Sequence, residues 1–186
     1  MSERDGLAGL DVRRFAPADA PELLVLQRCC WVQEALANDT LDIPALHESL
    51  EDVRRWGEEW LTLVARRGPR LVGAVRARET GEDWEVGRLM VAPDESGRGL
   101  GRQLLAAVEA LAPPGATRAT LFTGARSTRN LRLYARAGYE VDEVAQRSPA
   151  HVPGTVALAK PLPPGRAPAR SGADPAPAGA AAVPTD

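Results

Sequence analysis

Val91-Ala92-Pro93-Asp94-Glu95-Ser96-Gly97-Arg98-Gly99-Leu100-Gly101-Arg102 is a hydrophobic strand end that runs into three alternating glycines and then, with no spacer, into a helical pattern. Glycine lets the backbone turn through conformations closed to other residues and approach a ligand closely, and the first amides of a helix carry partial positive charge. The stretch therefore predicts an anion-binding loop, with Gly97, Arg98, Gly99, Leu100, Gly101 and Arg102 gathered around a phosphate. Arg98 and Arg102 bring positive charge to the same place. The helix is predicted over Leu100 to Leu111, because Leu100, Leu104, Leu105, Val108 and Leu111 recur at helical spacing until Pro113-Pro114-Gly115 ends the run.

What the loop lacks narrows the phosphate ligand. A nucleotide P-loop carries Lys-Ser/Thr after its last glycine, and here Arg102-Gln103 stands instead. A dinucleotide fingerprint needs glycine where Arg102 stands and an acidic residue at the end of a strand further on, and neither is present. The structural alternative is a plain strand-to-helix turn that uses glycine for geometry alone.

Outward from the loop, Leu10–Phe15 alternates as a first strand, with Asp19 placed to cap a helix over Glu22–Ala37. Its apolar face is read as Leu23, Leu26, Cys30 and Val32 to Ala35. A second helix is expected over Ile43–Trp56, then strands at Trp60–Arg66 and Arg70–Glu79 joined by Arg67-Gly68-Pro69. Glu82–Val91 is the strand into the loop. Thr117–Thr123, a helix over Thr128–Ala137, and strands at Tyr139–Gln146 and Val152–Lys160 complete the pattern. This order predicts an α/β domain over residues 10–160, with a twisted, partly antiparallel sheet and helices on both faces. Residues 1–9 read as a flexible start, and residues 161–186, rich in Pro, Ala and Gly and without periodicity, as a disordered tail.

The bulk properties exclude several classes. With 186 residues, 44% hydrophobic and 26% charged, the chain suits one soluble domain. A net charge of −2 gives no general attraction for nucleic acid. Lys160 is the only lysine, so the abundance of arginine reflects composition, which weakens any single arginine as evidence. No apolar run approaches the roughly 20 residues that span a bilayer, and a cytoplasmic location is the expectation. Cys29-Cys30 are adjacent within a helix and point to different faces, so buried or half-buried thiols are expected rather than a disulfide. His47 and His151 stand alone, and no metal site is expected.

A second stretch, Asn130-Leu131-Arg132-Leu133-Tyr134-Ala135-Arg136-Ala137-Gly138-Tyr139, follows at a fixed distance from the loop. Asn130 and Tyr134 are four apart and share a helix side, and Gly138 is placed for a left-handed cap with Tyr139 folding back. Thr128 is the expected N-cap, which frees Asn130 for a ligand; Asn130 as a cap and Tyr134 as a core aromatic are the plainer alternatives.

With the element order, these two stretches resemble the GNAT superfamily of acetyl-CoA-dependent N-acetyltransferases over about Leu10 to Lys160, most strongly from Trp84 to Tyr139. The family signature is Arg/Gln-x-x-Gly-x-Gly/Ala. Gly99 and Gly101 match it, while Ser96 stands at the leading position and leaves the contact to backbone amides. The resemblance implies acetyl-CoA as donor, splayed fourth and fifth strands, and a pantetheine arm along Met90 and Val91. It implies Tyr134 as proton donor to the departing thiolate, Asn130 beside the cofactor, and Glu85 as general base, with Glu82 or Asp83 as competitors and a solvated glutamate as the plainer alternative. The acceptor implied is an amine of a small molecule or peptide. Glu34, Asp39, Asp42, Glu48, Glu51, Asp52, Glu58 and Glu59 could form an acidic rim for a cationic amine, or simply a solvated face. Trp31, Trp56 and Trp60 either line a pocket or pack the core. A non-catalytic acyl-CoA-binding module is the alternative function, and C-terminal edge strands leave a homodimer open.

Overall fold

The computed structural model describes residues 9–163. Seven strands form one sheet: β1 (Leu10–Arg14), β2 (Leu61–Arg67), β3 (Arg70–Thr80), β4 (Asp83–Val91), β5 (Arg118–Gly124), β6 (Glu140–Val141) and β7 (Thr155–Pro161), in the order β1-β2-β3-β4-β5-β7-β6. Neighbours are antiparallel except β4 and β5, which are parallel. The helices are α1 (Ala20–Asn38), α2 (Pro44–His47), α3 (Leu50–Glu59), α4 (Leu100–Glu109), α5 (Thr128–Arg136) and α6 (Glu143–Gln146). The expected mixed α/β sheet is what forms.

Helices cover both faces of the sheet. On β3, Gly73 lets α4 sit close: a Cβ there would fall 2.8 Å from Leu104 Cδ1 and 3.3 Å from Leu100 Cδ2. Trp84 of β4 donates its indole N–H to the Val108 carbonyl of α4 at 3.0 Å. Three positions along β3 from Gly73, Arg76 points to the opposite face, where it lies over Trp56 of α3. Leu23 and Leu26 of α1 and Val53 of α3 are buried on that side, and Leu100, Leu104, Leu105 and Val108 of α4 are buried on the other. Each such leucine contributes about 1.5–3 kcal/mol by leaving water, so the two layers fix the sheet between them.

Four local expectations need correction. The single helix over Ile43–Trp56 is two helices, because Ser49 starts a new one: its Oγ accepts from the Asp52 N–H at 3.2 Å and Asp52 Oδ2 accepts from the Ser49 N–H at 2.9 Å. The break turns Glu48 inward. Asp19 does not cap α1 with its side chain; it accepts from the Ala16 N–H at 2.9 Å and receives Arg13 and Arg66, tying β1 to β2. The strand expected over Tyr139–Gln146 is only Glu140–Val141, since Asp142 accepts from the amides of Val144 and Ala145 and turns the chain into α6. The strand expected over Val152–Lys160 is Thr155–Pro161, and beyond it the Leu162 N–H bonds the Thr117 carbonyl at 2.9 Å. The rest of the expected tail and residues 1–8 lie outside the described residues.

Candidate active site

The loop that follows β4 is held at its front and open at its back. Pro93–Glu95 forms one tight helical turn, and Glu95, only 5% exposed, accepts from Arg67 Nε at 3.0 Å and from Arg98 Nη1 at 3.1 Å. Arg70 and Asp94 pair at 2.6 Å alongside. Beyond this anchor Gly97 and Gly99 take φ of +82° and +84°, and a Cβ on either would meet nothing within 4 Å. Gly99 is the N-cap of α4 and no side chain caps it. The amides of Leu100, Gly101 and Arg102 precede the first helical bond, from Gln103 N–H to the Gly99 carbonyl at 3.1 Å, so they have no acceptor within the helix. Ser96 turns its hydroxyl back to the Ala92 carbonyl at 3.5 Å, away from this function.

Glu95→Ala will lower stability by about 2 kcal/mol in urea unfolding, less than the 3–5 of a fully buried pair because Arg67 keeps 30% of its side chain in water. A loss under about 0.5 kcal/mol, the range of ordinary surface changes, would show that Glu95 does not anchor the loop.

The edge of β4 beside the loop is open. The parallel pairing with β5 covers only Asp83, Trp84 and Glu85, opposite Arg118, Ala119 and Thr120. Arg118 clamps that end to Asp83 at 2.6 Å. From Val86 onward β4 pairs with β3 alone, and β5 from Leu121 with β7 alone, so the two strands part as the family resemblance implied. A bulge falls in the open part: Arg76 pairs with Gly87 and Ala74 with Met90, leaving Arg88 and Leu89 against one residue. Arg88 takes φ of +50°, rare for a residue with a side chain, and is held by an ion pair to Glu48 and by the face of Trp31 at 5.1 Å. Met90 is 1% exposed and Val91 is half-buried, with its carbonyl accepting from Cys30.

Helix α1 lies across this gap with a polar stripe. Gln27 donates to Glu48 Oε2 at 2.8 Å, Cys30 donates to the Val91 carbonyl at 3.3 Å, and Trp31 meets Arg88. One and two turns further on, Glu34 accepts from Asn130 Nδ2 at 2.9 Å and from the Ser127 hydroxyl, and Asn38 Oδ1 accepts from the Arg126 N–H at 3.1 Å. The stripe thus joins the β4 bulge to the start of α5.

On α5, Ser127 and not Thr128 is the N-cap, and its hydroxyl goes to Glu34. Asn130 is accordingly engaged by Glu34 and is not free. Gly138 takes φ of +88°, its N–H bonds the Ala135 carbonyl at 3.1 Å, and the Tyr139 N–H bonds the Tyr134 carbonyl at 3.0 Å, the expected helix end. Tyr134 is 7% exposed and packs edge-on against Tyr139 at 5.8 Å, yet its hydroxyl has no hydrogen bond among the described residues. Burial, and after it the Glu34 charge, raise its pKa above the ordinary tyrosine value, so it stays protonated at neutral pH.

Glu85 sits apart from these groups, on the stretch of β4 still joined to β5. Its Oε2 accepts from Arg78 Nε at 2.8 Å and from the Thr80 hydroxyl at 3.2 Å. It faces the same side of the sheet as Arg76, whose charge it influences. Cys30 is half-buried, with burial pushing its thiol up to about 11, while Cys29 is exposed, contrary to expectation. Arg76, Arg88 and Gln27 are the participants that periodicity passed over; Glu34 and Glu48 were visible only as members of an acidic run.

Among the described residues no cluster of His, Cys, Asp or Glu is arranged to hold a metal ion, and no helix is long and apolar enough to cross a membrane. Residues 22–139 match the acetyltransferase (GNAT) family. None of the curated proteins matches the chain in sequence. Among solved structures, a PaiA N-acetyltransferase from Thermoplasma acidophilum, in complex with coenzyme A, is similar at 16% identity and TM-score 0.68, over 82% of this chain and 98% of that one. The putative acetyltransferase yncA from Salmonella typhimurium, with its cofactor acetyl-CoA, is similar at 18% and 0.64, over 88% and 100%. A ribosomal-protein-alanine N-acetyltransferase from Brucella melitensis is similar at 23% and 0.61, over 82% and 99%. The glycine loop, the parted strands and this match place the chain in the acetyltransferase (GNAT) family, as an acyltransferase that uses acetyl-CoA.

Proposed function

We propose that this enzyme moves acetyl from the thioester of acetyl-CoA directly to an amine in the gap between β4 and β5. The observation that carries the reading is that gap itself: it opens after Glu85, with the uncapped start of α4 at one end and the unpartnered Tyr134 hydroxyl near α1. The donor fits the residues present. Gly97 and Gly99 leave open space in front of the amides of Arg98, Leu100, Gly101 and Arg102, where a pyrophosphate is stabilised by N–H groups and the helix end. The edge of β4 beyond Glu85, which no strand pairs on the β5 side, is our assignment for the ladder that meets the pantetheine amides as they run toward Met90 and Val91.

The remaining residues take roles set by their chemistry. An amine with a pKa near 8 to 10 arrives protonated and must lose a proton before it can attack. Glu85 is our assignment for the base, working through water: it lies on the acceptor face, Arg78 and Thr80 take only its Oε2, and Oε1 is unengaged. Backbone N–H groups at the bulge stabilise negative charge as it grows on the thioester oxygen. Tyr134 meets the departing sulfur with an O–H. Asn130, fixed by Glu34, holds the start of α5 beside the cofactor.

Saturating acetyl-CoA will raise the melting temperature by about 5–10 °C, taking about 2.7 kcal/mol at a hundredfold excess over Kd and about 2–4 °C per kcal/mol. Thiol release will accompany it on some member of an amine panel. A shift without release on any amine would favour a binding module; no shift and no release would remove the reading.

A further inference from the structure

The face of the sheet beneath α1 and α3 gathers three guanidiniums against three indoles. Arg76 lies over Trp56 at 4.6 Å and over Trp60 at 4.1 Å, Arg78 over Trp60 at 4.1 Å, and Arg88 over Trp31 at 5.1 Å. Their charges are not equally answered. Arg78 pairs with Glu85 and Arg88 with Glu48, but Arg76 makes no hydrogen bond and no ion pair among the described residues. The Nε atoms of Arg76 and Arg88 are both sealed from solvent without an acceptor, whereas Arg76 as a whole is only half-buried. Glu48 is spent on Gln27, Trp56 and Arg88 together. Burial, with the Arg88 charge adding to it, lowers the Arg76 pKa to about 10, so it remains a cation in a place that withholds solvation.

The cluster stands beside the part of β4 that β5 leaves unpaired, where the proposed transfer takes place. Arg76 is in register with Gly87, two positions past the last residue of β4 that pairs with β5, and Arg88 is the bulge residue itself. Of the acids in the run from Glu34 to Glu59, Glu34 and Glu48 are committed to Asn130, Ser127 and Arg88, and Asp52 to Ser49 and Arg55, while Asp39, Asp42, Glu51, Glu58 and Glu59 are exposed, so no carboxylate hydrogen-bonds Arg76. A guanidinium held against two indole rings has its Nη edge as a planar fork that matches the shape of a carboxylate.

We infer that the amine acceptor is a free amino acid or a close analogue, whose carboxylate is received by the Nη edge of Arg76 with Arg88 beside it. The inference rests on the acetyl-transfer reading above and names its substrate class. An unpartnered guanidinium left facing an uncharged acceptor stays unsatisfied, so the site discriminates by what such an acceptor fails to supply.

The test compares matched acceptors: free amino acids, the same amino acids as carboxamides, their decarboxylated amines, and aminoalkylphosphonates. Among acceptors that turn over, the carboxylate form will lead its carboxamide by about tenfold or more in kcat/KM. Arg76→Gln will bring that ratio towards one, and Arg76→Lys will keep part of it. Binding is read separately, with coenzyme A present, by the fluorescence of Trp31, Trp56 and Trp60. N-acetyl amino acids will give a saturable change that their amides do not, weakened about tenfold in Arg76→Gln. The acetyl-CoA melting shift of the variant, equal to that of the wild type, shows that it is folded. Carboxamides or simple amines that react as well as amino acids overturn the inference, and so does a ratio untouched by Arg76→Gln. Phosphonates preferred over carboxylates overturn the amino-acid assignment. No saturable change with any N-acetyl amino acid, in protein that binds acetyl-CoA, also overturns it, whereas failure to bind acetyl-CoA removes the reading beneath it.

Discussion

Tyr134→Phe will turn over about 10²-fold more slowly than the wild type while binding acetyl-CoA within about twofold. The substitution removes one oxygen. The ring keeps its edge-on contact with Tyr139 at 5.8 Å, and no hydrogen bond within the described residues is lost, so neither packing nor a polar partner is disturbed. Stability will hold or rise slightly. What disappears, on the proposed reading, is the donor to the leaving sulfur. Burial first, and the Glu34 charge second, raise the Tyr134 pKa, which keeps the proton on the oxygen throughout the neutral range. The same shift bounds the effect. A tyrosine pushed up from about 10 is a weaker acid than a thiol near 8.5, so complete transfer to a formed thiolate runs uphill. In the proposed mechanism Tyr134 therefore acts by a hydrogen bond that strengthens as charge reaches the sulfur, and the proton released by the attacking amine closes the balance. That places the loss near the lower end of the 10²- to 10⁴-fold range for such donors. Steady-state turnover and calorimetric acetyl-CoA binding decide it: kcat within about threefold of wild type would show that another group protects the sulfur.

The sequence displays those parts of the site that depend on local backbone chemistry. The glycine loop, the leucine spacing of α4 and the Gly138-Tyr139 helix end could be read because a left-handed turn or a buried helix stripe requires particular residues at particular offsets. The face of the sheet under α1 and α3 is built differently. On α1 the polar residues Gln27, Glu34 and Asn38 turn inward, to Glu48 and to the start of α5, while Val25, Val32 and Leu36 are exposed, so a rule that equates the inner face with apolar residues misreads where this helix points. The β4 bulge leaves no local mark either. Arg88 adopts a positive φ without being glycine, because Glu48 and Trp31, far away in sequence, hold it there. Glu48 itself looked like one acid in a run of acids. The capping box at Ser49 turns it inward, and only the fold shows which arginine it meets.

Gly99→Val and Gly101→Ala, two substitutions in one loop, will have opposite outcomes. At Gly99 φ is +84°, a region that costs an ordinary residue about 1–2 kcal/mol and a β-branched one more. A Cβ there meets no protein atom within 4 Å, so the destabilisation comes from the backbone and the side chain projects into the space in front of the α4 amides. Both consequences act against the donor: the amides rotate away from convergence, and valine occupies the place of a phosphate. Acetyl-CoA affinity will fall by at least about tenfold, or about 1.4 kcal/mol, on top of the loss in stability. Gly101 lies inside the first turn of α4 with φ outside the left-handed region, and a Cβ there would rest 3.5 Å from Val91 Cγ2 and 3.6 Å from Leu133 Cδ2, ordinary contact. Alanine at that position removes the helical penalty of glycine, worth about 0.5–1 kcal/mol, and leaves the open side of the loop unchanged. Gly101→Ala will therefore match or exceed the wild type in stability and keep its affinity for acetyl-CoA. Isothermal titration and urea unfolding of the two variants separate the roles: equal losses at both positions would mean that the loop tolerates no added carbon anywhere, and that the left-handed turn at Gly99 is not what opens it to the phosphates.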